Sequence, residues 1–228
     1  MNGSPRLPED ARQDSAAPDS IDDGADQLVQ AAGSGDAEAL AELFGQHRSR
    51  LRMMVQLRLD RRLTGRIDPS DVLQDTFLEV SRRIPEYAAG NDMPIHLWLR
   101  FLTMQRLLQL HRRHLGAKMR NAGREISLHG GGGPHAESAS VAAQLVGRVS
   151  SPSQQAVRAE LQQKLEAALN EMDPIDREVL VLRHFEQLGN NDVAQLLGLG
   201  KTAASNRYVR ALKRLKHILE HRPGSDPP

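Results

Sequence analysis

The stretch from residue 191 to residue 215 places the strongest constraint on the fold of this chain. Its first half carries apolar residues at helical spacing up to Leu197, and Gly198 then supplies the residue that a tight turn between two helices favours. From Thr202 onward, small or apolar residues recur at intervals of three and four: Ala204, Tyr208, Ala211, Leu212 and Leu215. Because this spacing places them on one face of a second helix, the stretch predicts a helix-turn-helix.

The opposite face of that second helix is polar and basic. Residues 201–217 include six Lys or Arg and no Asp or Glu. Such a surface neutralises phosphates, and Asn and Arg form paired hydrogen bonds with adenine and guanine edges. A merely solvated basic helix is the alternative, but the turn and the small inward residues favour binding to duplex DNA. The candidate contacts are Lys201, Thr202, Ser205, Asn206, Arg207, Arg210 and Lys213.

The scarcity of aromatic residues indicates the fold class. Only 3% of the residues are Phe, Trp or Tyr, and Trp98 is the only tryptophan. The core must therefore rest on aliphatic side chains, which suits small helical domains and argues against a β-sandwich. We predict an all-α protein.

The absence of cysteine and of long apolar runs restricts location and chemistry. Without cysteine there are no disulfides, thiolate metal sites or Cys nucleophiles, as is common in a reducing cytoplasm. The N-terminal residues show no apolar h-region, and no apolar run approaches the roughly 20 residues of a membrane span, so we expect a cytoplasmic protein. The chain has no phosphate-binding glycine loop, HExxH or GxSxG, and His111 and His114 lack a third ligand. We therefore expect no enzyme, no metal and no cofactor, and assign both histidines to a basic face.

A helix with a row of acids follows Asp68, which supplies an N-cap before Pro69 at the first helical position. We predict that this helix ends before Pro85. Acidic residues recur every four positions, with a polar and an apolar residue beside them: Asp71, Gln74, Asp75, Leu78 and Glu79. Periodicity alone supports equally a solvated surface and a docking face for a basic partner.

The next helix, after Pro94, is basic. Residues 93–124 contain seven Lys or Arg and no acid, which indicates a nucleic-acid surface with Trp98 and Phe101 available for stacking on bases. For Trp98 by itself, a place in the core is the favoured interpretation.

Composition divides the chain into two helical modules. Four consecutive glycines at residues 130–133, among Ala, Ser and Pro, are typical of a flexible linker. We expect the modules to be only weakly associated in the free protein. The predicted divisions are a disordered acidic tail (1–23), a helical domain (24–125), the linker (126–152), a helix-turn-helix domain (153–222) and a second disordered tail (223–228).

Three stretches together carry a resemblance to a known family. They are DPSDVLQDTFLEV from residue 68, MPIHLWLRFLTMQRLLQLHRR from residue 93, and EMDPIDREVLVLRHFEQLGNNDVAQLLGLGKTAASNRYVRALKRLK from residue 171. They resemble the extracytoplasmic-function (ECF) sigma factors of bacterial RNA polymerase, and are especially similar to the planctomycete-type members. The resemblance implies a region 2 helical bundle and a region 4 helix-turn-helix.

The resemblance also implies partners and roles. Core RNA polymerase would bind the acidic row, so a docking face becomes the favoured interpretation of that row over a solvated surface. Promoter DNA would be melted by the first module, and its upstream element would be read by the second. The implied contacts to the melted strand are Asn91, Asp92, Trp98, Arg100, Arg106, Arg112 and Arg113. An anti-sigma factor is left open as a further partner. The alternative function is a stand-alone helix-turn-helix regulator, which would need a dimer to read two half-sites.

Overall fold

The computed structural model describes residues 22–115, 134–149 and 155–220, and within these ranges the protein is all-helical, as predicted. Apart from an isolated bridge between Thr64 and Ile67, these ranges contain no β-structure. Residues 1–21 of the predicted acidic tail, the whole second tail, and residues 126–133 and 150–152 of the predicted linker lie outside these ranges, whereas residues 22 and 23 of the acidic tail begin the first helix. The helices are α1 (Asp22–Gly33), α2 (Ala37–Arg58), α3 (Pro69–Ala88), α4 (Ile95–Leu115), α5 (Ser138–Val149), α6 (Gln155–Asn170), α7 (Pro174–His184), α8 (Asn190–Leu197) and α9 (Lys201–Glu220).

Side-chain caps begin three of the helices. The carboxylate of Asp36 accepts hydrogen bonds from two backbone N–H groups of α2, at 2.9 and 3.1 Å. Asp68 and Asp173 each accept one backbone N–H, at 2.7 and 2.8 Å, and a proline follows each of them. These residues satisfy amide groups that have no partner inside the helix, and the start predicted at Asp68 is confirmed.

Helix α3 continues past Pro85 to Ala88, so the predicted stop was wrong. Proline removes one backbone donor from the helix, but side-chain hydrogen bonds around the last turn help to hold it in place. The Tyr87 hydroxyl donates to the Met93 carbonyl at 2.6 Å, and the Gln30 side chain donates to the Ala88 carbonyl at 3.3 Å. The last turn of α3 is therefore stabilised by the chain on either side of it.

Helix α5 lies inside the stretch predicted as a flexible linker. Its buried residues Val141, Ala142 and Val146 pack with α6 and α7 in a hydrophobic cluster. Ahead of the helix, the backbone N–H of Glu137 donates to the Leu57 carbonyl at 2.9 Å. Residues 138–149 are thus part of the folded protein. Composition alone did not show the helical spacing of the apolar residues, because small residues lie between them.

The two modules share a hydrophobic core, contrary to the weak association expected. The larger cluster joins α1–α4 to residues of the second module: Val179, Leu182, Leu188, Val193, Ala194 and Ala204. Leu57 of α2 conversely lies in the second cluster, among residues of α5, α6 and α7. No helix in the described ranges is long and apolar enough to cross a membrane.

Gly33 is expected to be intolerant of alanine, because a Cβ atom there would lie 2.5 Å from the Cβ of Ala88. We expect Gly33→Ala to lower the free energy of unfolding by about 1–3 kcal/mol, the usual cost of overpacking. In the matched control Gly45→Ala, nothing lies within 4 Å of the new Cβ. That change, inside α2, should raise stability by about 0.5–1 kcal/mol. Urea unfolding followed by circular dichroism measures both, and a Gly33→Ala protein as stable as Gly45→Ala would contradict this packing.

Candidate nucleic-acid and partner interfaces

Helices α8 and α9 form the predicted helix-turn-helix. Gly198 ends α8 in the left-handed region at φ +64°, which favours glycine, and the Leu199 N–H donates to the Ala194 carbonyl at 2.8 Å. The Asn190 side chain donates to the Lys201 carbonyl at 2.9 Å and so joins the starts of the two helices. Six candidate DNA contacts are exposed on α9: Lys201, Thr202, Ser205, Asn206, Arg210 and Lys213.

Arg207 differs from the other candidates on α9 because its guanidinium is engaged within the protein. Its Nη1 lies 2.5 Å from Asp176 Oδ1 and 3.9 Å from Asp173 Oδ1, and its side chain is 27% exposed. Both carboxylates belong to the start of α7. Arg207 therefore connects α9 to α7, and in this arrangement its charge is not free for a phosphate.

The candidate contacts to a melted strand fall into two groups. Asn91, Asp92, Arg112 and Arg113 are exposed. The other three, Trp98, Arg100 and Arg106, are engaged in contacts within the protein. The number of basic residues in the sequence cannot separate the exposed arginines from the engaged ones, because every arginine counts equally.

Trp98 and Arg106 contribute to the packing of the first module. Trp98 is 3% exposed and lies against the Tyr87 ring, with centroids 4.5 Å apart. Arg106 reaches from α4 to α3, where its Nε lies 3.0 Å from Asp75 Oδ2. The structure thus supports the core interpretation of Trp98, and it does not present this ring for stacking on a base.

Arg100 lies at the junction of the modules. Its Nε donates to Glu186 Oε2 at 2.7 Å, and both side chains are largely buried. A second link between the modules joins His96 Nε2 to Asp192 Oδ2 at 3.1 Å.

His111 is buried, so its assignment to a basic face was wrong. The Asp60 backbone N–H donates to its Nε2 at 3.3 Å. Burial lowers the pKa of His111, which keeps the ring neutral at pH 7. His111 thus helps to hold the turn after α2 against α4. Among the residues that the structure describes, no three His, Cys, Asp or Glu are grouped to hold a metal ion.

The acidic row on α3 borders an apolar groove. Asp71, Gln74 and Leu78 are exposed, and Leu78 shows 53% of its surface. The adjoining groove of about 490 Å³ lies between α2 and α3, and Phe44, Phe77 and Leu78 line it together with Arg48. A surface that combines carboxylates with accessible apolar side chains suits a basic, partly apolar protein partner. The sequence did not reveal this groove.

A cluster of buried charges around Arg58 was missed by the sequence analysis. Arg58 is fully buried at the end of α2 and is paired with Glu178 and with Glu186, whose Oε1 lies 2.5 Å from Arg58 Nη1. Glu178 also accepts the Ala136 N–H at 3.1 Å. Burial opposes the charge on Glu178, but Arg58 and the other donors outweigh it and hold the pKa of this carboxyl well below its usual range. The signal available in the sequence was an arginine four residues after Met54, in the apolar stripe of α2.

The fold and these surfaces define an all-α protein of two packed modules, with a helix-turn-helix in the second. Residues 162–215, from the second half of α6 into α9, match the family model described as Sigma-70, region 4. This match supports the resemblance of the segment to region 4. No curated protein matches the chain.

Solved structures are similar to the chain over most of its length. One is the structure of CnrH in complex with the cytosolic domain of CnrY: it is 21% identical, covers 86% of this chain and 97% of that chain, and gives a TM-score of 0.52. Another is the sigma factor RpoE in complex with the anti-sigma factor NepR from Bartonella quintana, with 15% identity, coverages of 79% and 96%, and a TM-score of 0.44. At its level of identity, the likeness to CnrH shows a shared fold that includes both modules.

Proposed function

We propose that this protein is a sigma factor of the ECF type, which binds core RNA polymerase and directs it to promoters. The observation that carries the proposal is the exposed, acid-free basic face of α9, within the segment that matches sigma-70 region 4. The fold shared with CnrH supports it, because that likeness extends over the first module as well. The protein then contributes recognition rather than bond chemistry, and acts in the cytoplasm where the polymerase is.

In this proposal α9 enters the major groove of the upstream promoter element. Ser205, Asn206 and Arg210 would contact base edges, while Lys201 and Lys213 would contact phosphates. In the first module, the exposed Asn91, Asp92, Arg112 and Arg113 would hold the melted strand. Trp98 would support that surface from inside the core rather than stack on a base.

Polymerase would bind the α3 face. The exposed carboxylate of Asp71 attracts a basic partner, and the groove beside Leu78 receives an apolar side chain. Asp75 contributes to this face while paired with Arg106. The resemblance implies that the partner element is the clamp of the largest polymerase subunit. An anti-sigma factor is a further proposed partner; CnrH, which shares the fold, was itself solved with a bound protein, the cytosolic domain of CnrY.

Arg210→Ala is expected to weaken binding to the upstream element by about 1–3 kcal/mol, the usual loss for a base contact, without a change in stability. Arg207→Ala should instead lower stability, because it leaves Asp176 without the guanidinium it contacts. Fluorescence anisotropy with labelled promoter duplex and the polymerase complex measures affinity, and thermal unfolding measures stability. The assignment would be contradicted if Arg210→Ala bound as wild type while Arg207→Ala lost only DNA affinity.

Size-exclusion chromatography with purified core polymerase tests the proposal itself. A sigma factor should elute as a monomer alone and with the polymerase when both are present. A dimer that binds duplex DNA and ignores the polymerase would identify a stand-alone regulator instead.

A further inference from the structure

Three arginines lie on the turn between α2 and α3, outside the surfaces described above. Residues 61–67, here named the basic turn, contain these arginines and no acid. Leu59, just before the turn, and Leu63 within it are buried in the larger hydrophobic cluster. The Arg66 N–H donates to the Leu63 carbonyl at 2.9 Å. The backbone that carries the arginines is therefore anchored to the core of the first module.

The basic turn lies beside the last turns of α4. The Asp60 backbone N–H donates to His111 Nε2 at 3.3 Å. Burial lowers the pKa of His111, and the nearby Arg62 guanidinium acts in the same direction. Arg112 and Arg113 follow His111 on α4 and are exposed. The basic turn and the exposed end of α4 thus adjoin each other.

Two of the three arginines are available to an anion from outside. Arg61 is not one of them, because its Nη1 lies 3.7 Å from Glu166 Oε1 on α6. Arg62 donates through Nε and Nη2 to the two carboxylate oxygens of Asp60, at 2.9 and 2.7 Å, and its side chain is 63% exposed. Its Nη1 makes no hydrogen bond with any residue that the structure describes. Arg66 is exposed and forms no ion pair within those same residues.

The pair between Asp60 and Arg62 orients the guanidinium. An exposed ion pair of this kind contributes little to stability. It does hold the arginine in one conformation, which reduces the side-chain entropy lost when a partner binds. The edge between Nη1 and Nη2 remains for two oxygens of a phosphate, the planar geometry that arginine binds best. Arg66 adds a charge that no carboxylate in the described ranges neutralises.

The position of the basic turn indicates which part of the DNA it meets. Helix α4 has 21 residues and is about 30 Å long, at about 1.5 Å per residue. In the proposed function, the melted strand extends from Asn91 and Asp92 before this helix to Arg112 and Arg113 at its end. The chain continues from that end to the second module, which reads the upstream element. The DNA beside the basic turn is therefore the duplex between the two elements.

We propose that the basic turn binds phosphates of the spacer, the duplex between the melted and the upstream promoter elements, through Arg62 and Arg66. This role rests on the sigma-factor function proposed above and adds a third DNA contact, between the two already assigned. Phosphate contacts carry no sequence information by themselves. The basic turn would therefore increase affinity for promoters without restricting the base sequence of the spacer.

The salt dependence of promoter binding tests this contact. The probe is a promoter fragment taken from start sites that the wild-type protein directs, bound by the complex with core polymerase and followed by fluorescence anisotropy. Arg62→Ala with Arg66→Ala should weaken binding at least about fivefold at low salt. It should also reduce the slope of log affinity against log salt by about 1.8, since each lost phosphate contact removes about 0.9. A·T-rich and G·C-rich spacers should show the same loss.

Arg61→Ala is the matched control, because it removes the same charge from the same turn at the arginine that lies against Glu166. It should leave affinity within about twofold of wild type and the salt slope unchanged. Arg62→Lys with Arg66→Lys should keep most of the slope, because lysine also neutralises a phosphate. Arg66→Ala alone breaks no ion pair in the described ranges. It should still lower the slope by about 0.9 if the double alanine variant proves unstable in thermal unfolding.

Three results would overturn this role of the basic turn while leaving the sigma function intact. One is an unchanged salt slope in folded Arg66→Ala and in the folded double alanine variant. Another is an equal loss in Arg61→Ala, which would indicate a general effect of charge. The third is weaker binding of the variant to core polymerase in the absence of DNA, which would assign the turn to the polymerase. If the wild-type protein directed no start sites, the proposed function would fall and this contact with it.

Discussion

Replacement of Arg58 by methionine is expected to lower the free energy of unfolding by about 3–5 kcal/mol, the usual cost of breaking a buried ion pair from one side. Methionine replaces much of the arginine volume, so the loss comes from charge rather than from a cavity. Without Arg58, the buried carboxylate of Glu178 loses its main counter-charge, and Glu186 keeps only Arg100. Each remaining charge must then be protonated, be hydrated or disrupt the interface.

Urea unfolding of Arg58→Met beside Arg52→Met measures this effect. Arg52 lies on the same helix but is exposed, so its loss should change stability by less than about 0.5 kcal/mol. Glu178→Gln and Glu186→Gln added to Arg58→Met should recover part of the loss, because the neutral amides need no counter-charge. If Arg58→Met were as stable as Arg52→Met, the cluster could not be the buried junction described above.

The same cluster makes the loss of stability in Arg58→Met depend on pH, and the sign of this dependence follows from the pKa of Glu178. The pKa of Glu178 is lower in the folded protein than its ordinary value of 4.5, so pairing stabilises the fold above that pH. As the pH falls below that range toward the folded pKa, this contribution is progressively lost. The difference in stability between wild type and Arg58→Met should therefore be largest near neutral pH and shrink in acid.

Replacement of Leu78 by lysine is expected to weaken binding to core polymerase by about 10- to 100-fold, as for a central interface residue. Leu78 is the most exposed large apolar side chain among the described residues and borders the groove between α2 and α3. Lysine there removes the apolar contact and adds a positive charge where the proposed partner is basic. Stability should be unaffected, since Leu78 contributes little buried area.

Ile175→Lys is the matched control, because Ile175 is also an exposed apolar residue but lies at the start of α7. Surface plasmon resonance with immobilised core polymerase compares the two variants, and circular dichroism confirms that both are folded. Polymerase binding by Leu78→Lys within twofold of Ile175→Lys would remove the α3 face from the proposed interface.

Local signals accounted for the parts of the fold that the sequence predicted well. The carboxylates of Asp68 and Asp173 cap helices through amides two residues away, and Gly198 adopts its left-handed conformation within a single turn. These effects depend on neighbours in the chain, so the sequence displays them directly. The exposed face of α9 followed from helical periodicity in the same way.

Long-range contacts determined what the sequence did not show. Helix α3 continues past Pro85, and Gln30 and Met93 hydrogen-bond residues of its last turn. Helix α5 folds where glycine and alanine suggested a linker. Arg100 looked like a free cation until Glu186, 86 residues further along the chain, was placed beside it. Charge composition alone cannot tell an arginine for DNA from one already paired within the protein, because the partner is supplied by the tertiary fold.

Transcription of a genomic fragment library by core RNA polymerase of the source bacterium, with and without this protein, tests the sigma function most directly. We expect start sites that occur only when the protein is present, with two shared sequence elements upstream of them. These starts should disappear with Leu78→Lys and weaken with Arg210→Ala. If the protein gave no new start sites, although it was folded and bound duplex DNA specifically, it would not be a sigma factor.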